Sequence, residues 1–582
     1  MISVPDHLAA ALREALAGVA SPDEMPAAAI NACQDPRFGD YQSNTAMPLA
    51  KKLGKPPREV AGRILERLKV DDLCEKVEIA GAGFLNFRLK PSFIANQLKA
   101  MAEDPRNGIR PAAAPRRMVI DFSSPNIAKA MHVGHIRSTF LGDALARLAR
   151  AVGHTVITDN HLGDWGTQFG KLIYGYKKML NPQALAANPV AEFERLYKEA
   201  HALSEKDETI LTAVRQELAN LQAGDAENLR IWKDIASQSL QQFDRAYQRL
   251  GVSFDHTLGE SFYNPMLKEV VDELLQLGLA EKSQGAACIF FRDNPALKDA
   301  APMIIQKADG AALYATTDLA TVLYRVREWK TDEILYVTDA RQQLHFKQLF
   351  AAVEKWFASK PSAGQWRPPV LRHVVFGSIL GPDKRPIKTR SGESIKLEDL
   401  LDEAESRALQ IVTEKNPALS GDEKRHAARV IGLGALKYAD LCQNRNLDYL
   451  FDWNKLLALQ GNTAPYLIYA YVRIRSIFRS AGTAVQPPSS GFELNTPEEW
   501  VLARHLIRFS DTLHEVLEDC RPHLLAAYLY DLACKFSRFY EACPVLKEAE
   551  PLRSQRLALC EIAARTLKTG LNLMGIETLE KM

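Results

Sequence analysis

Two histidines on either side of a Val-Gly pair stand where a short apolar strand gives way to a helix, at residues 132–135 (HVGH). A helix N-terminus presents unpaired N–H groups and partial positive charge, which suit phosphate. Gly134 has no side chain, so a flat ring such as adenine can lie against the backbone. His132 and His135 can donate hydrogen bonds to phosphate oxygens, and Lys129 adds a mobile cation. The pattern indicates a nucleotide site. The alternative is a pair of histidines that only cap a helix.

Two further polar segments follow short apolar strands. Residues 160–171 (NHLGDWGTQFGK) are rich in glycine, and residues 339–345 (DARQQLH) place Gln342 where it can orient a polar ligand. Ligands of open α/β sheets bind outside the carboxyl ends of the strands. We therefore expect both segments to border the same site, the alternative being ordinary polar loops.

Tyr314 and Asp318 are four residues apart in the segment LYATTDLATVLY. A helix would place both side chains on one face. A carboxylate beside a phenol can hold a guanidinium or an ammonium group, and it can hold the guanidinium through two hydrogen bonds. The alternative is a helix start in which Thr316 or Thr317 is the N-cap and Asp318 favours the first turn.

Residues 381–396 (GPDKRPIKTRSGESIK) form a basic segment punctuated by glycine and proline. It contains five cations, among them Lys384 and Lys388, and a mobile loop of this kind can close on a polyphosphate. The alternative is a solvated basic loop.

The elements that must position these residues follow a strand–helix–strand order. A strand at 117–122, a helix at 136–151 and a strand at 154–158 predict a βαβ unit with a parallel sheet. Strands and helices resume between 313 and 376. Residues of about 185–300 interrupt the pattern and are predicted to be an insertion. We therefore predict a Rossmann-like α/β domain over 111–395.

Two other regions flank this domain. Residues 1–110 combine short helices with apolar runs at 77–79 and 84–89, which predicts a small α+β unit. Residues 104–117 are rich in proline, alanine and arginine and are predicted to be a linker. Residues 396–582 are predicted to be almost wholly helical, and a separate all-α unit is expected at about 455–582.

Composition excludes several classes of protein. The 582 residues carry 73 Lys+Arg against 71 Asp+Glu, so a polybasic coat for nucleic acid is excluded. The eight cysteines include no CxxC pair, so we predict free thiols and no metal held by the protein. The N-terminus lacks a signal-peptide pattern, and no apolar run is long enough to span a bilayer. A cytoplasmic location with no membrane or DNA partner is expected.

Taken together, the segments resemble a known family. SSPNIAKAMHVGH is similar to the HIGH signature region of class I aminoacyl-tRNA synthetases in its arginyl form, and NHLGDWGTQFG, YATTDLA, DARQ, KTRSG and ALQGNTAPYLIYAYVRIRS follow in the family's order. PRFGDYQSN and GFLNFRL resemble its additional N-terminal domain. The C-terminal region resembles its DALR-type anticodon-binding domain. The resemblance implies that L-arginine and ATP form arginyl-adenylate and that the arginyl group passes to tRNA(Arg). It also implies a monomer and Mg²⁺ that arrives with ATP.

The resemblance assigns roles residue by residue. The positions that match arginine contacts in the family are Ser124, Asn126, His135, Tyr314, Asp318 and Gln342. Pro125 lies between two of them, and Asp121 is an acid that can receive the α-amino group. ATP is assigned to Lys129, His132, Gly134, His135 and Lys388. The tRNA is assigned to Tyr466, Arg473, Arg475 and Met582, with the N-terminal unit at its elbow.

The chain departs from the wider class in its basic loop. Class I synthetases usually carry KMSKS, whereas this loop reads KRPIKTRSG, so either Lys384 or Lys388 can face the phosphates. In the family the lysine that matches Lys129 is thought to compensate. Three alternatives stay open from the sequence: a nucleotidyltransferase that adenylates a small acid without RNA, a catalytically silent relative that only binds RNA or another partner, and a synthetase for another cationic amino acid such as lysine.

Overall fold

A computed structural model describes residues 1–33, 35–360, 367–385, 387, 395–482 and 491–582. Within them an N-terminal α+β unit, a parallel-sheet unit with an inserted region and a helical C-terminal unit follow one another. No helix among these residues is long and apolar enough to cross a bilayer.

The N-terminal unit is a four-stranded antiparallel sheet with four helices. Its elements are α1 (Val4–Ala17), β1 (Asn31–Ala32), β2 (Tyr41–Ser43), α2 (Ala46–Leu53), α3 (Pro57–Leu65), β3 (Cys74–Ala80), β4 (Phe84–Leu89) and α4 (Pro91–Glu103). The strand order is β1-β2-β4-β3. The apolar runs predicted as strands at 77–79 and 84–89 lie in β3 and β4, and most of the side chains of β4 are buried.

The parallel sheet begins after this unit, and a largely helical region follows its first two strands. The elements are β5 (Arg117–Asp121), α5 (Gly134–Ala151), β6 (Thr155–Asp159), α6 (Gln168–Met179), α7 (Pro182–Ala187), α8 (Pro189–Ser204), α9 (Glu208–Gln222), α10 (Ala226–Leu250) and α11 (Asn264–Gln276). A small antiparallel sheet then forms from β7 (Glu281–Ser283), β8 (Ala286–Ile289) and β9 (Met303–Gln306).

The α/β pattern then resumes and completes the parallel sheet. Its elements are α12 (Tyr314–Arg327), β10 (Glu333–Tyr336), α13 (Gln343–Ala358) and β11 (Val370–His373). The strand order is β11-β10-β5-β6, and every neighbouring pair is parallel. Along β5, Met118 and Ile120 enter one hydrophobic core and Val119 enters a second. This alternation buries both faces of the sheet, with α5 on one side and α12 on the other.

The C-terminal region is helical apart from one short strand pair. Its elements are β12 (Ile379–Leu380), α14 (Leu397–Lys415), α15 (Gly421–Leu441), β13 (Tyr449–Leu450), α16 (Trp453–Leu456), α17 (Ala464–Ala481), α18 (Pro497–Leu506), α19 (Phe509–Asp519), α20 (His523–Ala542) and α21 (Leu552–Leu573). All eight cysteines are free, as the sequence predicted.

The segment predicted as a linker is packed against the C-terminal helices. The Arg110 guanidinium lies 2.5 Å from the Asp511 carboxylate, and the Asn107 amide donates to the Thr566 hydroxyl over 3.0 Å. Asn107 is buried. Proline and arginine content signals the absence of regular structure, and it carries no information about such long-range partners.

Candidate active site

Four parallel strands end in register at one edge of the sheet. Asp121 of β5 is paired with Asp159 of β6 on one side and with Tyr336 of β10 on the other, and Tyr336 is paired with His373 of β11. The chain leaves each strand at this edge, so the loops that follow converge there. Among them are the loop that leads to HVGH, the glycine-rich segment and the DARQQLH segment. The switch-point argument from the sequence predicted this convergence.

His132 and His135 stand at the start of α5 and each uses one ring nitrogen inside the loop. The Gly134 backbone N–H donates to Nδ1 of His132 over 3.0 Å, and the His132 backbone N–H donates to Nδ1 of His135 over 3.1 Å. A ring nitrogen that accepts an N–H carries no proton, so in each neutral ring the proton is on Nε2. Both residues therefore offer an Nε2–H donor.

Burial keeps both rings neutral. It lowers the pKa of His132, and the charges of Arg341 and Lys129 lower it further. Burial and the neighbouring His132 lower the pKa of His135 to about 4. At neutral pH the two residues are therefore hydrogen-bond donors without a charge, and the nearby positive charge belongs to lysine and arginine.

The loop after β5 is strained and held by buried polar contacts. Ser123 and Ser124 have φ of 72° and 46°, a region that non-glycine residues adopt at a cost of roughly 1–3 kcal/mol each. The backbone N–H of Ser123 donates to the Ser138 hydroxyl over 2.8 Å, and that of Ser124 donates to the Asn160 side-chain oxygen over 3.0 Å. These contacts fix the predicted arginine-binding residues of the loop before any ligand arrives.

Pro125 and Asn126 pair with the glycine-rich segment beyond the end of the sheet. Gly163 donates its N–H to the Pro125 carbonyl and accepts from the Ile127 N–H, both over 3.2 Å. A Cβ on Gly163 would lie 1.9 Å from the side-chain oxygen of Asn126. A side chain at this position would therefore displace the side chain of Asn126, which is exposed.

Asp121 is part of a buried ion network. Its Oδ1 accepts from the Ser124 hydroxyl over 3.0 Å, and its Oδ2 lies 2.6 Å from Arg325. The same Arg325 nitrogen lies 2.7 Å from Asp159. Sequence reasoning missed Arg325, although it lies on the helix of Asp318 seven residues further on. The direct contact of Asp121 with the α-amino group stays a prediction.

The predicted guanidinium residues lie together on α12. The Asp318 carboxylate is 2.6 Å from Nε2 of His345, and the rings of Tyr314 and His345 are 4.9 Å apart. Tyr314 is 63% exposed. The helix begins at Tyr314 with Leu313 as its N-cap, so neither threonine is the N-cap. Gln342 ends a short 3-10 turn before α13, with its side chain exposed.

A second acid in this region was not predicted from the sequence. Burial raises the pKa of Glu260 to about 8, and the carboxylates of Asp318 and Asp164 add to the shift. Asp164, from the glycine-rich segment, accepts from the Ser261 backbone and hydroxyl over 2.8 and 2.6 Å. Glu260 itself donates its N–H to the Leu162 carbonyl over 3.0 Å. No motif surrounds Glu260, so only the fold reveals it.

The cations predicted to bind ATP differ in their surroundings. Lys129 is exposed, with its Nζ 5.5 Å from the centroid of the Tyr197 ring. Lys384 is exposed in a turn closed by the Gly381 carbonyl, and Lys388 lies outside the described residues. Beyond the basic loop the chain pairs with the HVGH segment, since Val133 donates to the Ile395 carbonyl over 2.9 Å.

Three of the predicted tRNA residues, Tyr466, Arg473 and Arg475, lie on α17. The Arg473 guanidinium lies 5.0 Å from the centroid of the Tyr540 ring, and Arg475 pairs with Glu580 over 3.0 Å. Tyr466 is half-buried beside Tyr530, with ring centroids 5.7 Å apart. Met582 packs partly against the same core. The structure therefore gathers these residues into one region, with their side chains engaged in contacts within the chain.

Comparisons with known proteins agree with this architecture. Residues 99–453 match the catalytic domain of "tRNA synthetases class I (R)", residues 467–582 match the DALR anticodon binding domain, and residues 6–89 match the arginyl tRNA synthetase N terminal domain. The chain is 45% identical to an arginine–tRNA ligase of Cyanothece sp., over 100% of both chains, and 44% identical to one of Laribacter hongkongensis, over 99% of both.

Solved structures give the same result. Arginyl-tRNA synthetase of Plasmodium falciparum superposes with a TM-score of 0.86 at 28% identity, and that of Thermus thermophilus with 0.83 at 26%, each over 100% of both chains. The fold is thus that of a class I aminoacyl-tRNA synthetase, as the sequence predicted. More narrowly, the chain belongs to the arginyl-tRNA synthetase family, whose members ligate arginine to tRNA.

Proposed function

We propose that this chain activates L-arginine at the carboxyl edge of the parallel sheet and passes it to tRNA(Arg). An oxygen of the arginine carboxylate attacks the α-phosphorus of ATP, and the bond to the β-phosphate oxygen breaks, releasing pyrophosphate. The terminal ribose hydroxyl of tRNA then attacks the arginyl carbonyl, and AMP leaves. In-line transfer of this kind requires alignment and charge stabilisation more than a protein nucleophile.

The observation that carries the proposal is the arrangement around Asp318. Asp318 and Glu260 are close enough for the charge of Asp318 to raise the pKa of Glu260. The ring of Tyr314 lies against His345, which is the partner of Asp318. Two carboxyl groups that repel each other are stabilised by a cation between them. The Asp318 carboxylate can hold a planar guanidinium through two hydrogen bonds, a geometry that lysine cannot reproduce.

The other end of arginine is assigned to the strained loop and its neighbours. Ser124 donates to Asp121, Asn126 follows in the same loop, and Gln342 lies in the turn before α13. We keep Asp121 as the partner of the α-amino group, acting through the oxygen that now accepts from Ser124. The Asp121–Arg325–Asp159 network then sets the position of that acid.

The phosphates of ATP are assigned to the start of α5. His132 and His135 donate their Nε2–H groups to phosphate oxygens, Gly134 leaves room for adenine, and Lys129 supplies charge. Lys384 or Lys388 completes the site from the basic loop. Histidine and lysine are poor ligands for Mg²⁺, so we propose that Mg²⁺ is held by the phosphates and water and comes with ATP.

The remaining assignments concern the domain boundaries, the tRNA contacts, the cellular location and the oligomeric state. We propose domains at 1–110, 111–395 and 396–582, with an insertion at about 185–300 and the anticodon-binding unit at about 455–582. The N-terminal unit meets the tRNA elbow. Tyr466, Arg473, Arg475 and Met582 meet the anticodon arm. Eight free thiols suit a reducing cytoplasm, and we propose that the enzyme acts there as a monomer.

The experiment that tests the proposal is ATP–pyrophosphate exchange with each of the twenty amino acids, with and without total tRNA. We expect exchange with arginine alone and only when tRNA is present. Exchange with arginine in the absence of tRNA would keep the site assignment and overturn the dependence on RNA. Exchange with lysine would overturn the assignment of Asp318, and no exchange from folded protein under either condition would indicate a catalytically silent relative that only binds RNA.

A further inference from the structure

A buried ion pair joins the helix of the two histidines to the C-terminal helices. Arg137 follows His135 by two residues on α5, and its Nε lies 2.8 Å from Oδ1 of Asp440 on α15. Both side chains are at most 1% exposed. Replacing a buried pair by apolar residues of similar volume is often neutral for folding. Stability is therefore a poor explanation for the pair, and its other contacts have to supply one.

The Arg137 guanidinium also holds the chain at the start of β13. Its Nη1 donates to the Leu447 carbonyl over 3.0 Å, and its carbon lies 5.2 Å from the centroid of the Tyr449 ring. The ring of Phe376, before β12, is 5.8 Å away. A guanidinium can make these contacts together with an ion pair, because its donors form a planar fork and its face stacks on aromatic rings. Arg137 thus fixes residues 447–449 relative to the start of α5.

The segment that Arg137 holds supports the strand from which the basic loop leaves. β12 and β13 pair in parallel, and the loop begins at Gly381, directly after β12. The first turn of the loop contains Lys384 and is closed by the Gly381 N–H, which donates to the Arg385 carbonyl over 2.8 Å. A Cβ on Gly377, two residues before β12, would lie 2.7 Å from the Leu447 carbonyl oxygen. Because the two segments approach so closely, a shift of residues 447–450 displaces β12 and the turn that follows it.

We propose that Arg137 and Asp440 are positioning residues that set the first turn of the basic loop, and Lys384 with it, relative to the two histidines. The inference rests on the proposed function, which needs donors from α5 and a cation from the loop on the phosphates of one ATP. Both residues are buried, so they act through β13 and β12 and touch no substrate. A displacement of about 1 Å at a reacting centre can cost about 10²-fold. The loss should fall on kcat and spare the affinity for arginine, whose guanidinium is assigned to Asp318 on α12.

The test is tRNA-supported pyrophosphate exchange by the full-length protein at saturating tRNA. The double variant Arg137→Met/Asp440→Leu removes the pair and the contact with Leu447 while it keeps the interior apolar. We expect kcat to fall about 30-fold and KM for arginine to change less than twofold. Arg137→Lys keeps a charge beside Asp440 but lacks the fork that also reaches Leu447, so kcat should fall about fivefold. This single variant supplies the same comparison if the double variant fails to fold.

The matched control is a second buried ion pair, which lies within the C-terminal helices. Nε of Arg556 lies 2.7 Å from Glu499, and its Nη1 donates to the Pro544 carbonyl over 2.7 Å. Arg556 therefore has the same kinds of partner as Arg137, an acid and a backbone carbonyl. The double variant Arg556→Met/Glu499→Leu should keep wild-type kcat at saturating tRNA. Thermal unfolding of both double variants verifies that the fold is retained.

A double-mutant cycle shows whether the pair acts through the basic loop. Lys384→Ala/Lys388→Ala is made in the wild type and in the Arg137→Met/Asp440→Leu variant. Changes at residues that act as one unit are not additive. We therefore expect the removal of both lysines to lower kcat at least fivefold less in the pair variant than in the wild type.

Two outcomes would overturn the proposal. The first is a kcat of the Arg137→Met/Asp440→Leu variant that equals that of the control double variant, because the pair would then have no role in the reaction. The second is an equal loss from lysine removal in both backgrounds, which would separate the pair from the loop. Exchange with arginine by the wild type tests the proposed function by itself, so its failure is distinguishable from a failure seen only in the variants.

Discussion

The two ends of the candidate active site use opposite electrostatics. At the start of α5, His132 and His135 are held neutral and each presents an Nε2–H donor, so the phosphate end relies on oriented dipoles with mobile cations nearby. At the guanidinium end, Asp318 of α12 and Glu260 in the turn before α11 are acids, and the charge of Asp318 helps to raise the pKa of Glu260. The phosphate end is thus prepared for charge that develops during the reaction, and the guanidinium end for a charge that the substrate already carries.

The difference has a physical reason. Phosphate oxygens gain and redistribute charge in the transition state, so donors fixed in advance stabilise that state without reorganisation. A guanidinium is charged before, during and after the reaction, so acids that hold it contribute to binding and selection. Changes at the first end should therefore lower kcat, and changes at the second should lower selectivity and affinity for arginine.

The largest effect is expected from removing a donor at the phosphate end. His132→Asn should lower kcat for pyrophosphate exchange about 10²-fold, because its shorter amide cannot reach the position of Nε2. His132→Gln places an amide N–H near Nε2 and should recover about tenfold of that loss. The measurement is steady-state exchange over ATP concentration. Equal activity of the two variants would contradict the assignment of the donor to Nε2.

The next prediction concerns the close approach of Gly163 to Asn126. Gly163→Ala places a methyl group against the side-chain oxygen of Asn126 and should displace that residue. A displacement of about 1 Å at a reacting centre can cost about 10²-fold, and we expect a loss of about 30-fold in kcat/KM for arginine. Gly62→Ala, where no atom lies within 4 Å of the added methyl group, is the matched control and should keep full activity. Parallel losses in both variants would refute the role of the Gly163 contact.

A smaller and graded effect is expected from pH at the guanidinium end. The pKa of Glu260 is about 8 in the free enzyme, and guanidinium favours the ionised acid. Below this pKa the acid must lose its proton before it can pair, so arginine affinity should rise up to about tenfold per pH unit between about pH 6 and 8 and then level off. Glu260→Gln should flatten that rise. Calorimetric titration measures it, and an affinity that is independent of pH in wild type would exclude Glu260 from the site.

The sequence was sufficient for much of this account because the relevant signals are local. Apolar runs and their spacing predict β5, α5 and β6, and the four-residue spacing of Tyr314 and Asp318 predicts their common face on α12. The family resemblance gave the activity. Glu260 and Arg325 could not be predicted, because their importance comes from partners far away in the chain. The strain at Ser123 and Ser124 likewise depends on Ser138 and Asn160, which only the fold brings close.

The central claim is that Asp318 and the neighbouring Glu260 select arginine by its charge, and the most direct test compares arginine with citrulline, its uncharged isostere. Wild type and Asp318→Asn are assayed by tRNA-supported pyrophosphate exchange with both amino acids, with Asp272→Asn, a surface partner of Lys268, as the control. We predict that wild type prefers arginine by about 10³-fold or more, and that Asp318→Asn loses most of that preference while its KM for ATP is unchanged. A preference that survives in Asp318→Asn would contradict the account.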